Sequence, residues 1–349
     1  MTEPITFILN GKKQTVSGLS PTMTVLEYLR TQVRLTGTKE GCAEGDCGAC
    51  TVIIGEPSAQ GTEIAYKAVN ACILFLPVLD GREVITIEHL KSADGTLHPV
   101  QQAMVDCHGS QCGFCTPGFV MALSCLSHNH PSPNDEEIQD AIAGNLCRCT
   151  GYRPILDAAR KATQNGSYRL DTQPEALKAL QRKTLLRYEA EGSLYLAPVT
   201  LEELAETLAE YPEATLLAGG TDVGLWVTKQ YRHLPVIIYT GNVTALREII
   251  TTDQATEIGA AVTYTAAFEA LSENDTSLGE LLRRLGSVHI RNSGTIGGNI
   301  ANGSPIGDSM PPLMALGAKI VLRHVFGTRT LPLEDYFIAY GKQDRQPGE

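Results

Sequence analysis

Short apolar runs broken by turn residues open the chain. Residues 5–9 (Ile-Thr-Phe-Ile-Leu) predict a strand, Asn10-Gly11 the dipeptide of a two-residue hairpin, and 12–16 the return strand. Val25, Leu26 and Leu29 fall on one face of a short helix over 24–31. A cysteine-rich loop follows, with strands expected at 51–54 and 83–87. The pattern describes a small β domain with one helix, ending near residue 88.

The periodicity then becomes helical. Residues 99–106 read as one helix. Thr116-Pro117 supplies an N-cap and a proline at the first helical position for a second, to about Ser127. Asn134 caps a third that Gly144 can end, and Pro154 opens a fourth through Ala162. Residues 164–192 are polar and weakly periodic, which suits a linker with a partial helix over 175–187. From Tyr195 strand and helix alternate: a helix over 201–210, strands at 215–218, 236–239 and 257–261, a helix over 278–285, and a glycine-rich stretch from Gly294 to Gly307. There is no internal repeat.

Composition excludes more than it selects. The 349 residues carry 28 basic and 39 acidic side chains, a net charge of −11, which argues against a nucleic-acid partner. No apolar run is long enough to span a bilayer and the first residues do not resemble a secretory signal, so the expected location is cytoplasmic. All ten cysteines lie between Cys42 and Cys149. A cytosolic chain keeps thiols reduced, so these read as metal or redox ligands rather than disulfides.

Cys42, Cys47, Cys50 and Cys72 have the C-x4-C-x2-C spacing with one distant cysteine of a plant-type [2Fe–2S] site. Glycines 41, 45 and 48 let that loop wrap a cluster with backbone N–H groups turned to sulfur. A four-thiolate zinc site is the competitor. Cys112 and Cys115 pair with Cys147 and Cys149 as C-x2-C and C-x-C, each ahead of an expected helix N-terminus that favours an anionic cluster. Spacing alone leaves zinc open for this second set. Cys107 and Cys125 read as structural thiols, and His98, His108, His128 and His130 as surface or capping residues. Two glycine-rich turns after strands, near 219 and 297, can cradle a pyrophosphate, although neither is a G-x-G-x-x-G loop and both are also ordinary glycine turns.

Three segments, Gly41-Cys-Ala-Glu-Gly-Asp-Cys-Gly-Ala-Cys50, Gly109-Ser-Gln-Cys-Gly-Phe-Cys-Thr-Pro-Gly118 and Gly144-Asn-Leu-Cys-Arg-Cys-Thr-Gly-Tyr152, resemble the iron–sulfur domains of the molybdenum hydroxylases, the family of xanthine dehydrogenase and aldehyde oxidase. The resemblance implies an α+β multidomain chain. Residues 1–88 would form a β-grasp, plant-type ferredoxin-like [2Fe–2S] domain and 89–163 a four-helix all-α [2Fe–2S] domain. After the linker at 164–192, residues 193–349 would form an α/β FAD-binding domain, incomplete at its C-terminus. It also implies that Gln111 contacts a molybdopterin held by a partner and that Cys149 is the ligand nearest that pterin. For FAD it implies Leu216, Leu217, Ala218, Gly219, Gly220, Thr221, Asp222 and Val223, then Thr295, Ile296, Gly297, Gly298 and Asn299, with polar contacts from Asn302 and Asp308. Leu285 stands where the family often has an aromatic residue near the flavin. His289 and Arg291 are left equally open between cofactor contact and solvent.

The family likeness further implies two [2Fe–2S] clusters and FAD on this chain, and a molybdenum-binding large subunit in an α2β2 heterotetramer. NAD+ would be the acceptor and hypoxanthine or xanthine the substrate. Oxidation of an aldehyde or N-heterocycle is the alternative. A non-enzymatic iron–sulfur sensor is the third reading, and the FAD loops argue against it. No side chain is expected to act as general base or nucleophile.

Overall fold

The N-terminal hairpin forms from β1 (Ile5–Leu9) and β2 (Lys12–Val16), with Asn10 and Gly11 at φ of 51° and 74°, the left-handed pair that a type I′ turn needs. This computed structural model describes residues 2–58, 62–163, 170, 172, 174–339 and 341–349. β3 (Thr51–Pro57), β4 (Ile64–Asn70) and β5 (Glu83–Ile85) complete a five-stranded sheet in the order β2-β1-β5-β3-β4, with β1 and β5 parallel and the other neighbours antiparallel. α1 (Val25–Glu27), capped by Thr24, continues through a wider π-type turn at Tyr28–Gln32. β4 went unforeseen. Its Ala-Tyr-Lys-Ala run has no clean alternation, because Lys67 is held inward by Glu56 at 2.5 Å.

Both faces of this sheet are covered, which is why Val52-Ile53-Ile54 is continuously apolar rather than alternating. On one face Ile53, Tyr66, Ala68 and Ile85 pack against α2 (Pro99–Asp106), α3 (Thr116–Asn129), α4 (Asp135–Ile142) and α5 (Arg153–Thr163). On the other, Phe7, Val52, Ile54 and Val84 share a core with Tyr188, Tyr195, Leu217 and Ile237 of the C-terminal part. The three parts of the chain therefore pack through two cores that cross between them.

Of the expected linker, residues 164–169, 171 and 173 lie outside the described residues. The partial helix over 175–187 contracts to α6 (Pro174–Lys178), and β6 (Leu186–Ala190) falls where linker was expected. Leu177 and Leu186 are fully buried. Arg187 and Glu189 carry the outward charge that made this strand read as polar linker. β6 begins a sheet in the order β6-β7-β9-β8, with β7 (Ser193–Ala197), β8 (Thr215–Leu217) and β9 (Val236–Tyr239) mutually parallel where they pair. α7 (Leu201–Glu210) starts on the Thr200 cap as expected. The strand expected at 257–261 is shorter: β11 (Thr256–Ile258), which pairs only with β10 (Ile249–Thr251). Five more helices bear on the sites: α8 (Val223–Thr228), α9 (Tyr264–Asn274), α10 (Thr276–Arg284), α11 (Val288–Arg291) and α12 (Ile296–Asn302). Among the described residues no helix is long and apolar enough to cross a membrane.

Candidate cofactor sites

The first cysteine loop runs between the α1 turn and β3, and Cys72 follows β4. Ala43, Gly45 and Gly48 take φ of 55°, 85° and 65°, so the loop curls back on itself. That curl aims the backbone N–H groups of Glu44 and Cys47 at Cys42 Sγ, each at 3.4 Å. Asn70 Nδ2 ties the loop down by donating to the Gly45 carbonyl at 2.7 Å. Cys42 interacts with Cys72 and Cys47, and Cys72 with Cys50, so the four thiols form one group. The neighbouring Cys72 thiol draws Cys42 far below its ordinary range, and the same interaction pushes Cys72 up. Such a set, with N–H donors already aimed at sulfur, fits an anionic iron–sulfur group.

The second set sits at two helix starts. Cys115 is the N-cap residue of α3, where Thr116 was expected; the Thr116 hydroxyl instead pairs with Ser110 Oγ at 2.7 Å. Cys112 interacts with Cys149 and Cys115 with Cys147, all four as free thiols, so the two turns face each other. Burial, then the Cys147 contact, push Cys115 up to about 12. The Thr150 hydroxyl lies 3.1 Å from Cys147 Sγ, and the Cys147 N–H donates to Tyr152 Oη at 2.9 Å. Cys112 and Cys149 are exposed, as is Gln111 beside them, while Cys115 and Cys147 are half-buried. Among the described residues no three His, Cys, Asp or Glu side chains are arranged around a single metal ion. Cys125 stays apart from both sets, buried against the Tyr66 carbonyl, and Cys107 lies at the end of α2. His98 caps α2.

The two loops touch. Leu146 N donates to the Cys47 carbonyl at 2.9 Å, and Asn145 Nδ2 donates to Gly48 O at 3.0 Å and Thr51 Oγ1 at 3.1 Å. A Cβ on Gly48 would stand 2.2 Å from the Gly144 carbonyl, so only glycine allows the approach. None of these contacts is visible in the spacing of the cysteines.

The glycine turns also meet each other. Between β8 and α8, Gly219 lies so close to the second turn that a Cβ on it would be 2.0 Å from Ser293 O, and Gly220 takes φ of 74°. Thr295 caps α12 by accepting from Gly298 N at 3.0 Å. Asn302 Nδ2 donates to Asp222 Oδ2 at 2.9 Å, joining the two turns, and Asn299 Oδ1 accepts from Ser309 Oγ at 2.8 Å. Burial raises the Asp222 carboxyl. The paired turns, with their amide and hydroxyl groups, suit a phosphate-bearing cofactor. Leu285 ends α10, half-buried, its carbonyl accepting from Arg291 Nη1 at 3.2 Å. His289 and Arg291 are both buried rather than solvated. His289 packs on Gly144 of the second cysteine loop, where a Cβ would stand 2.5 Å from its Nδ1.

Two groups near the sites had no signal in the sequence. The first turn reaches the first cysteine loop through α8: Gly224 packs on the Ile73 carbonyl, Thr228 Oγ1 donates to Ala43 O at 2.9 Å, and Lys229 Nζ donates to Cys42 O at 2.5 Å. Behind the turns, a cavity of about 90 Å³ is lined by Glu56, Lys67, Arg82, Arg247 and Tyr239. Glu56 takes Lys67 at 2.5 Å, Arg247 at 3.1 Å and Arg82 at 3.6 Å.

Comparison with known proteins finds three family models along the chain. Residues 7–76 match the family model described as 2Fe-2S iron-sulfur cluster binding domain, 86–160 that described as [2Fe-2S] binding domain, and 187–349 that described as FAD binding domain in molybdopterin dehydrogenase. Aldehyde oxidase 2 of Rattus norvegicus is 32% identical across 99% of this chain and 30% of its own length. Xanthine dehydrogenase of Drosophila pseudoobscura pseudoobscura is 34% identical across 94% of this chain and 28% of its own length. The chain thus spans under a third of these curated relatives. Among solved structures, quinoline 2-oxidoreductase from Pseudomonas putida 86 is 32% identical, covering 50% of this chain and 96% of that one, with a TM-score of 0.40. Two [2Fe–2S] domains and an FAD-binding domain are therefore the chain's cofactor complement.

Proposed function

The chain belongs to the molybdenum hydroxylase family, whose iron–sulfur and FAD-binding domains it carries, and we propose that it is the electron-transfer chain of a xanthine dehydrogenase. In this reading Cys42, Cys47, Cys50 and Cys72 hold one cluster and Cys112, Cys115, Cys147 and Cys149 the other. Residues 216–223 and 295–299, with Asn302 and Asp308, hold FAD. Gln111 and Cys149 face the molybdopterin of a separate large subunit in an α2β2 assembly in the cytoplasm, where hypoxanthine or xanthine is oxidised. The clusters supply one-electron transfer, and FAD pairs electrons for NAD+.

The observation that carries the reading is the hydrogen bond from Leu146 N to Cys47 O. With it, an unbroken run of contacts leads from the exposed Cys112 and Cys149, through the first loop, to the glycine turns beside α8. The residues of this chain do no bond chemistry on substrate. They turn N–H groups toward sulfur, hold the loops in contact and keep Cys50 and Cys72 from water. Cys112→Ser tests the order: it should abolish substrate-driven reduction of FAD while leaving NADH-driven reduction of FAD intact. Equal loss of both refutes the order.

An aldehyde-oxidising partner is the second reading, favoured by the aldehyde oxidases among the curated relatives. Turnover of the chain purified with its partner, on hypoxanthine and on an aromatic aldehyde, with NAD+ or oxygen as acceptor, separates the two.

A further inference from the structure

α8 is six residues long and touches both kinds of site. Its first end leaves the Gly219-Gly220 turn. At its other end Lys229 places its ammonium 2.5 Å from the Cys42 carbonyl and 3.3 Å from Glu44 Oε2. The neighbouring Thr228 hydroxyl holds the Ala43 carbonyl at 2.9 Å, which fixes the end of the helix against the loop. The cysteine loop is acidic, with Glu40, Glu44 and Asp46. Its own cation, Lys39, is turned away, donating to the carbonyls of Thr36 and Gly37. The positive charge bonded to a ligand-bearing peptide of this loop is therefore supplied by the FAD-binding part of the chain.

We infer that Lys229 is a positioning residue that raises the reduction potential of the first cluster, so that docking of the FAD domain makes this cluster a better electron acceptor. The inference rests on the reading of Cys42 as a cluster ligand. One-electron reduction adds a negative charge to a group held by four cysteines on a loop that also carries Glu40, Glu44 and Asp46. A cation beside the Cys42 carbonyl stabilises the reduced form more than the oxidised form by simple Coulomb attraction. Lys229 is 40% exposed, so solvent screening keeps the effect to a few-fold in the reduction equilibrium rather than orders of magnitude.

The test is a dithionite titration of the complete chain followed by electron paramagnetic resonance, on wild type, Lys229→Arg, Lys229→Gln and Lys229→Glu. The signal lost in Cys112→Ser identifies the second cluster. The other signal should keep its potential with arginine, fall about threefold in reduction equilibrium with glutamine (about 28 mV for one electron), and fall further with glutamate. The shift should shrink in 1 M salt. Equal potentials across the series, or equal shifts in both signals, overturn the inference. A preparation without iron and sulfide for two clusters instead refutes the ligand reading beneath it.

Discussion

The backbone N–H of Leu146 donates to the carbonyl of Cys47 at 2.9 Å, joining the residue before Cys147 to a cysteine 99 positions from it in the first loop (146 less 47). With the two hydrogen bonds from Asn145 Nδ2, this peptide hydrogen bond holds the two cysteine loops in contact. It depends on glycine at 48, since the Gly144 carbonyl occupies the space a side chain would need.

Gly48→Ala should accordingly separate the loops. The new Cβ meets Gly144 O at 2.2 Å in a residue with φ of 65°. Strain and overpacking together should cost about 2–4 kcal/mol. Thermal unfolding together with iron content checks this; a variant with unchanged melting temperature and full iron would show that the loops can part freely.

Gly219→Ala should release flavin before it unfolds the chain. Its Cβ falls 2.0 Å from Ser293 O, forcing apart the two turns that Asn302 and Asp222 join at 2.9 Å. The expected result is a purified variant with both iron–sulfur signals but less than a tenth of the wild-type flavin absorbance. Full flavin retention would move the FAD site away from these turns.

Glu56 should be an acid-sensitive tie between the first sheet and Arg247. Burial alone would raise its carboxyl, but Lys67, Arg247 and Arg82 outweigh burial and hold it well below the usual carboxylate range. A depressed folded-state pKa means the stabilisation is complete above the unfolded value, about 4.3, and is lost as pH falls toward the folded one. Glu56→Gln, which takes the shared carboxylate from Lys67, Arg247 and the buried Arg82, should cost about 3 kcal/mol at pH 7, and the gap from wild type should narrow below about pH 4. Denaturant unfolding at both pH values decides it.

His289 should make the fold weaken on mild acidification. Both ring nitrogens are buried with no hydrogen-bond partner among the described residues, and burial, then Arg291, push the imidazole down to about 4. Between that value and the unfolded one, about 6.5, the unfolded chain binds the extra proton, so stability falls as pH drops through this window. The full loss is about 3 kcal/mol. His289→Gln should flatten this part of the profile, and parallel profiles for the two proteins would place the imidazole in a wetter setting than its packing shows.

Much of this was legible in residue order because it is local. Cysteine spacing, the Asn10-Gly11 turn, the Asn134 and Thr200 caps and the glycine turns each depend on a few neighbouring residues and their allowed backbone angles. Where residue order misleads, the cause is also local: Thr116 has the form of a cap but Cys115 holds that place, and β6 has the composition of a linker because its charged residues face outward. What only the tertiary structure decided is which of these local pieces touch. Leu146 meets Cys47, Lys229 meets Cys42 and His289 meets Gly144 through contacts between positions far apart in sequence. Such contacts arise from two cores closing over both faces of one sheet, and neither periodicity nor spacing along a chain encodes that closure directly. Residue order thus displayed the ligand sets and the glycine turns, whose cofactors the family resemblance implied, and the packing decided which of these pieces lie against one another.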